Sequence, residues 1–164
     1  EAGSRRVLGV QAVGAGEVAK RVDVATAYIA RGATVTELAG LEHAYAPPFA
    51  PAIDPLAAAA FAAENQEDGL EARPPDEPFA GARVLDVRHP GERTKHPLPE
   101  ATAIPLEELR AALPLPGRDR WLAVCERGAR SAEAARLVRS SGGSASYLGG
   151  GMQLRAMMGL ESER

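Results

Sequence analysis

The sequence predicts an α/β protein, with a parallel sheet flanked by helices in its second half and a partial α+β segment before it. Three observations carry that expectation. From residue 79 onward, short apolar runs alternate with helix-forming stretches, as parallel strands require because each is reached by a crossover. Ahead of that region, one strand-like run is followed by three helical patterns with recognisable start signals. Between them, residues 66–78 are acidic and proline-rich without apolar periodicity, the composition of a linker. The expected division is 1–65, 66–78 and 79–164.

In the first segment, Arg6-Val-Leu-Gly-Val-Gln-Ala-Val13 is aliphatic and β-branched enough to predict a strand. A helix follows, because Val18, Val22, Ala25 and Ile29 recur at helical spacing, Glu17, Lys20, Arg21 and Asp23 fill the remainder, and Gly32 offers a stop. Thr34-Val-Thr-Glu37 has the spacing of a capping box for a short helix through Leu41. Pro47 and Pro48 enforce an extended piece, and Asp54-Pro55 opens an alanine-rich helix to about Glu64. Val13-Gly-Ala-Gly-Glu-Val-Ala19 imitates a dinucleotide-binding turn. A Rossmann unit, however, needs a parallel strand directly after the helix, and a second helix and a proline-rich stretch come instead. No cofactor is therefore expected on this segment.

In the second segment the pattern predicts strands at 83–87, 102–104, 121–124 and 145–148, with helices at 106–113, at 131–140 and from about Met152. Met152, Met157 and Met158 are expected to pack the last helix onto the sheet. Parallel sheets place their sites beyond the carboxyl ends of strands, and Cys125, the only cysteine, lies just beyond the run Trp121-Leu-Ala-Val124. Asp86 and Arg88 end another strand, placed either to pair near that loop or to form a surface ion pair. His89 and His96 flank prolines in a polar turn and are read as solvent-facing.

The loop Cys125-Glu-Arg-Gly-Ala-Arg130 is followed at once by a helix that ends at a glycine pair. A cysteine between a buried strand and a helix N-terminus faces unpaired backbone N–H groups and the positive end of the helix dipole, both of which favour thiolate. Arg127 and Arg130 add positive charge, Gly128 permits the bend, and Glu126 alone has the wrong sign. Such a turn suits an anionic sulfur nucleophile or an anionic substrate. The plainer alternative is a small buried residue at a strand end.

Composition narrows the choice of function. The 164 residues are 45% hydrophobic, 25% charged and only 4% aromatic, which fits an ordinary globular chain with a core of small and aliphatic side chains. A formal net charge of −3 gives no reason to expect nucleic acid or an anionic membrane as partner. No apolar run approaches the roughly 20 residues of a membrane span, and the start lacks the layout of a signal peptide. One cysteine cannot close an internal disulfide, so a reducing compartment, the cytoplasm, is expected. No Cys/His cluster supports a metal site.

The segment from Cys125 to Ser131 resembles the active-site loop of rhodanese-type sulfurtransferases. Val84-Leu-Asp-Val-Arg88 is similar to that family's first strand and Asp-Val-Arg signature. Lys95-His-Pro-Leu-Pro-Glu-Ala-Thr-Ala-Ile-Pro-Leu106 resembles its His-Ile-Pro-Gly segment, with Leu98 and Glu100 as departures, and Tyr147-Leu-Gly-Gly-Gly-Met152 its final strand and turn. In the rhodanese-like superfamily a six-residue loop suits sulfur and a longer one phosphate; Cys125 to Arg130 is six residues. The resemblance implies Cys125 as nucleophile, a bound group held by Glu126, Arg127, Gly128, Ala129, Arg130 and Ser131, and Asp86 and Arg88 in support.

A second resemblance covers residues 6–65. Val7-Leu-Gly-Val-Gln-Ala-Val-Gly14, Lys20-Arg-Val-Asp-Val-Ala-Thr-Ala27, Thr34-Val-Thr-Glu-Leu38 and Ala44-Tyr-Ala-Pro-Pro-Phe49 with Asp54-Pro55 look like the closing half of the dimerisation domain of pyridine nucleotide-disulfide oxidoreductases, in their coenzyme A-disulfide reductase and NADH oxidase-like subgroup. It implies a homodimer, FAD, NAD(P)H and coenzyme A elsewhere in an intact flavoenzyme, and Tyr45 near the partner subunit's redox site. Together the two resemblances imply that Cys125 takes sulfane sulfur from a donor as a persulfide and passes it to a thiol acceptor. The alternatives are a non-catalytic dimerisation and docking module, and a cysteine-dependent phosphatase.

Overall fold

Thr34 accepts a hydrogen bond from the Glu37 amide while the Glu37 carboxylate accepts one from the Thr34 amide, so the capping box read from four residues is formed. It starts α2 (Val35–Ala39), which lies between α1 (Val18–Ala30) and α3 (Pro55–Glu67). Asp54 caps α3 through the Leu56 amide, with Pro55 in the first turn, and is also held by Arg21. The three helices bury Ala25, Leu38, Ala39, Leu56 and Ala60 together. The computed structural model describes residues 1–79, 81–117 and 119–160, and the chain divides into two compact units, Glu1–Asp68 and Gly69–Arg164.

The strand expected at 6–13 is not formed. Arg6 makes one antiparallel bridge to Thr34, and Val13 is fully exposed. A β-branched run becomes a strand only where a neighbour supplies a hydrogen-bonding edge, and among the described residues the neighbourhood of Thr34 alone does so. Without that strand the glycines at 14–16 do not form a strand–turn–helix, and the dinucleotide turn is absent here.

The second unit is a five-stranded, all-parallel sheet in the order β1-β5-β4-β2-β3. Its strands are β1 (Ala72–Arg73), β2 (Arg83–Asp86), β3 (Thr102–Ala103), β4 (Arg120–Val124) and β5 (Ser144–Leu148). Helices α4 (Pro90–Arg93), α5 (Leu106–Ala112), α6 (Ala129–Ser140) and α7 (Gly151–Met157) connect or follow them. Both faces of the sheet are covered. Trp121, Ala123 and Cys125 point to the face packed with Leu85, Leu109, Ala134 and Val138, while Leu122 and Val124 point to the other with Leu148 and Met152. The last four residues of the expected 79–164 segment lie outside the described ones.

Two further expectations are corrected. Residues 66–78 are not simply a linker: α3 runs on to Glu67, and β1 pairs Ala72 with Tyr147 and Arg73 with Leu148 at the sheet edge. That short strand has no pattern of its own, because pairing with β5 rather than propensity makes it. Of the methionines, Met152 alone is buried, whereas Met157 and Met158 are exposed. The inward face of the seven-residue α7 is shared instead by Arg155, which donates to the Pro75 and Glu77 carbonyls and stacks on Phe79.

Asp86 and Arg88 form a buried bidentate pair rather than a surface one. Arg88 is 0% exposed, with Nε and Nη2 at 2.9 and 2.8 Å from the two carboxylate oxygens. Its Nη2 also donates to the His96 carbonyl at 2.8 Å, fixing the chain after α4 to the end of β2. His96 is half-buried and His89 is exposed near Glu107. Arg88→Met should destabilise the protein by about 3–5 kcal/mol in chemical denaturation, because it strands a buried carboxylate. Replacing both partners by apolar residues should cost less than the single change.

Candidate functional site

The loop between β4 and α6 is shaped by a close approach of backbone. Met152 and Gln153, in the first turn of α7, donate their amides to the carbonyls of Cys125 and Glu126, each at 2.9 Å. For this to happen the turn at 149–151 must lie against the loop. A Cβ on Gly151, whose φ is +68°, would sit 2.5 Å from the Glu126 carbonyl and 2.6 Å from the Arg127 nitrogen. The glycine run read in the sequence as a turn therefore also supports the loop after β4.

With the loop's carbonyls bonded outward, one of its amides turns to sulfur. The Gly128 N–H donates to Cys125 Sγ at 3.0 Å, from a residue whose φ of +103° is open to glycine. Ser131 lies 3.5 Å from the same sulfur, and its hydroxyl donates to the Gly128 carbonyl at 2.8 Å. Cys125 is 1% exposed, belongs to the apolar cluster, and is also among the residues lining a cavity of about 520 Å³. The buried sulfur thus has polar neighbours, the Gly128 amide and the Ser131 hydroxyl.

That cavity is lined by Cys125, Glu126, Arg127, Ala129 and Arg130 of the loop, and by Glu92, Lys95 and Gln153. Gly128 and Ser131 are buried beneath it. Arg127 Nε donates to the Gln153 side chain at 3.2 Å, so α7 orients this guanidinium as well. Oε2 of Glu126 is buried without a hydrogen-bond partner among the described residues. Asp86 and Arg88 are not in the lining; they act through the His96 carbonyl on the segment that carries Glu92 and Lys95. Tyr45 belongs to the first unit and is 56% exposed. No group of three or more metal-ligating side chains occurs among the described residues, and none of their helices is long and apolar enough to cross a membrane.

Glu92, Lys95 and Gln153 were not legible as site residues. Glu92 is the most consequential of them. Its carboxylate takes both Nη atoms of Arg130 and accepts the His89 amide at 2.9 Å. The Arg130 hydrogen bond, reinforced by the His89 amide and opposed by partial burial, holds its carboxyl down to about 2, and Arg130 is raised in turn. Pro90 in the first turn followed by Glu92 is a helix-start pattern that marks α4, but nothing local aims it at a loop 38 residues away.

Comparison with known proteins places both units. A NAD-dependent persulfide reductase from A. fulgidus matches 93% of this chain and 28% of its own, at 42% identity and a TM-score of 0.79. The reduced CoADR-RHD of Bacillus anthracis matches 86% of this chain and 26% of its own, at 33% identity and a TM-score of 0.77. A rhodanese-related protein from Thermoplasma volcanium is covered over 99% of its length, at 26% identity and a TM-score of 0.51. In sequence, 53 residues are 53% identical to the NAD(P)H sulfur oxidoreductase (CoA-dependent) of Pyrococcus furiosus, and the match spans 12% of that relative's length. No protein-family model matches the chain.

Two outcomes follow for the loop. Gly151→Ala should lower the thermal midpoint and slow any reaction of Cys125, because the added methyl has no room against Glu126; an unchanged melting curve would contradict the close approach. The Glu92 carboxyl is depressed in the folded state, so the stability it supplies is full above its ordinary 4.5 and lost as pH falls toward about 2. The difference in urea stability between the native chain and Glu92→Gln should therefore shrink across that window, from a modest starting value set by solvent screening.

Proposed function

The chain belongs to the coenzyme A-disulfide reductase and persulfide reductase group of pyridine nucleotide-disulfide oxidoreductases, joining part of a dimerisation domain to a rhodanese-like domain, and on that premise we propose that its second unit is a sulfurtransferase module with Cys125 as the sulfur carrier. The single observation that carries the proposal is the Gly128 amide directed at Cys125 Sγ from 3.0 Å, at a cavity lined by charged side chains of both signs.

In the proposed cycle the Cys125 thiolate attacks the outer sulfur of a sulfane donor such as thiosulfate. The Sγ–S bond forms as the donor's S–S bond breaks, and sulfite leaves with the electron pair. Negative charge then lies on the outer sulfur of the Cys125 persulfide, where backbone amides of the loop at 126–130 stabilise it. Gly128 and Ser131 hold the inner sulfur in place. A thiolate acceptor attacks the outer sulfur, and Cys125 leaves as thiolate, which closes the cycle without net oxidation. Arg127, Lys95 and Glu126 line the cavity at which the donor arrives.

We assign the first unit a role in homodimer formation, and Tyr45 a place near the partner subunit's redox centre. Its exposure supports that reading. Coenzyme A is proposed as acceptor, with FAD and NAD(P)H bound elsewhere in an intact enzyme. Residues 13–19 do not fit a dinucleotide, because no strand precedes α1 there. A lone thiol that must stay reduced to act argues for the cytoplasm.

Thiosulfate treatment should add one sulfur atom to Cys125, read by intact mass, and the addition should reverse with cyanide. Cys125→Ser should abolish thiosulfate:cyanide sulfur transfer. A variant that keeps the activity, or a native protein that takes up no sulfur, would leave the docking-module reading in its place.

A further inference from the structure

We infer that Glu92 is the charge selector of the Cys125 cavity, withdrawing Arg130 from incoming anions so that the site favours a singly charged alkyl persulfide over dianions such as thiosulfate or phosphate. The inference rests on the sulfur-transfer reading and adds to it the class of donor.

The cavity walls carry three cations, Lys95, Arg127 and Arg130, and two carboxylates, Glu92 and Glu126. One positive charge is left over, and an ionised Cys125 cancels it. A dianion entering such a site gives up its hydration for no net attraction beyond the partial charge of the α6 terminus, whereas a monoanion loses far less. Geometry points the same way. Both outer nitrogens of Arg130 are turned to the Glu92 carboxylate, the bidentate arrangement in which a guanidinium would otherwise hold an oxyanion. Glu92 is kept in that position by the His89 amide and by the tie from Arg88 to the His96 carbonyl, so it is part of the built structure of the site. With an alkyl persulfide, Sγ bonds to the terminal sulfur, the S–S bond of the donor breaks, and the alkyl thiolate leaves with the electron pair.

The test uses the whole chain with thiosulfate, cysteine persulfide and inorganic phosphate as probes. Glu92→Gln should lower the thiosulfate KM roughly tenfold with little change in kcat, and should let phosphate bind, by calorimetry, roughly tenfold more tightly. Cysteine persulfide should respond far less. Arg130→Met should raise the thiosulfate KM by leaving the Glu92 carboxylate uncompensated, and adding Glu92→Gln to it should bring the KM back toward the native value. An unchanged or raised thiosulfate KM in Glu92→Gln, with unchanged phosphate binding, overturns the inference. So does tight phosphate binding by the native chain, a measurement that needs no variant. A native chain that never carries sulfur on Cys125 removes the sulfur-transfer reading, while phosphate binding still decides whether Glu92 selects by charge.

Discussion

Everything in the second unit converges on one contact without side chains, the seating of the turn at 149–151 against the loop after β4. Only glycine permits it at Gly151, where any Cβ would lie inside the Glu126 carbonyl. Once seated, the α7 amides take the carbonyls of Cys125 and Glu126, and the loop has one settled arrangement in which the Gly128 amide meets sulfur. A hydrogen bond to an anion-forming group is worth most when its donor needs no reorganisation, and here two helix starts and the end of the central strand β4 hold the donor in place.

Charge is distributed on the same plan. The buried Asp86–Arg88 pair does not touch the cavity; it binds the end of β2 to the chain after α4, and that chain presents Glu92 and Lys95. Burial makes such a pair a costly way to gain stability, but its directionality fixes a register that apolar contacts would leave loose. Glu92 in turn orients Arg130. The cationic rim seen in the sequence is thus a partly neutralised one, and the difference bears on what the cavity can hold.

The residues that make local structure were plain from the chain alone. The Thr34–Glu37 capping box, Asp54-Pro55 at the head of α3, the apolar run of β4 and the cysteine at its end all appear where expected, because their determinants lie within a few residues of one another. The order of strand, cysteine loop and helix also marked the place of the candidate site. Where the pattern misled, at 6–13, at 66–78 and at Met157 and Met158, the deciding factor was a neighbour far away in sequence: an edge that is absent, an edge that β5 supplies, and an arginine that occupies the inward face of α7.

Sequence by itself determined the α/β architecture of the second unit, the helical identity of the first and the placing of Cys125 with its flanking arginines between a strand and a helix, since periodicity, caps and glycine stops act locally. Tertiary structure alone decided which partners those groups meet. Glu92 reaches Arg130 across 38 positions, Gln153 reaches Arg127 across 26, and Ala72 finds Tyr147 at the sheet edge. No local rule encodes these pairings, because each forms only after the strands have taken their order in the sheet and carried distant residues into one place.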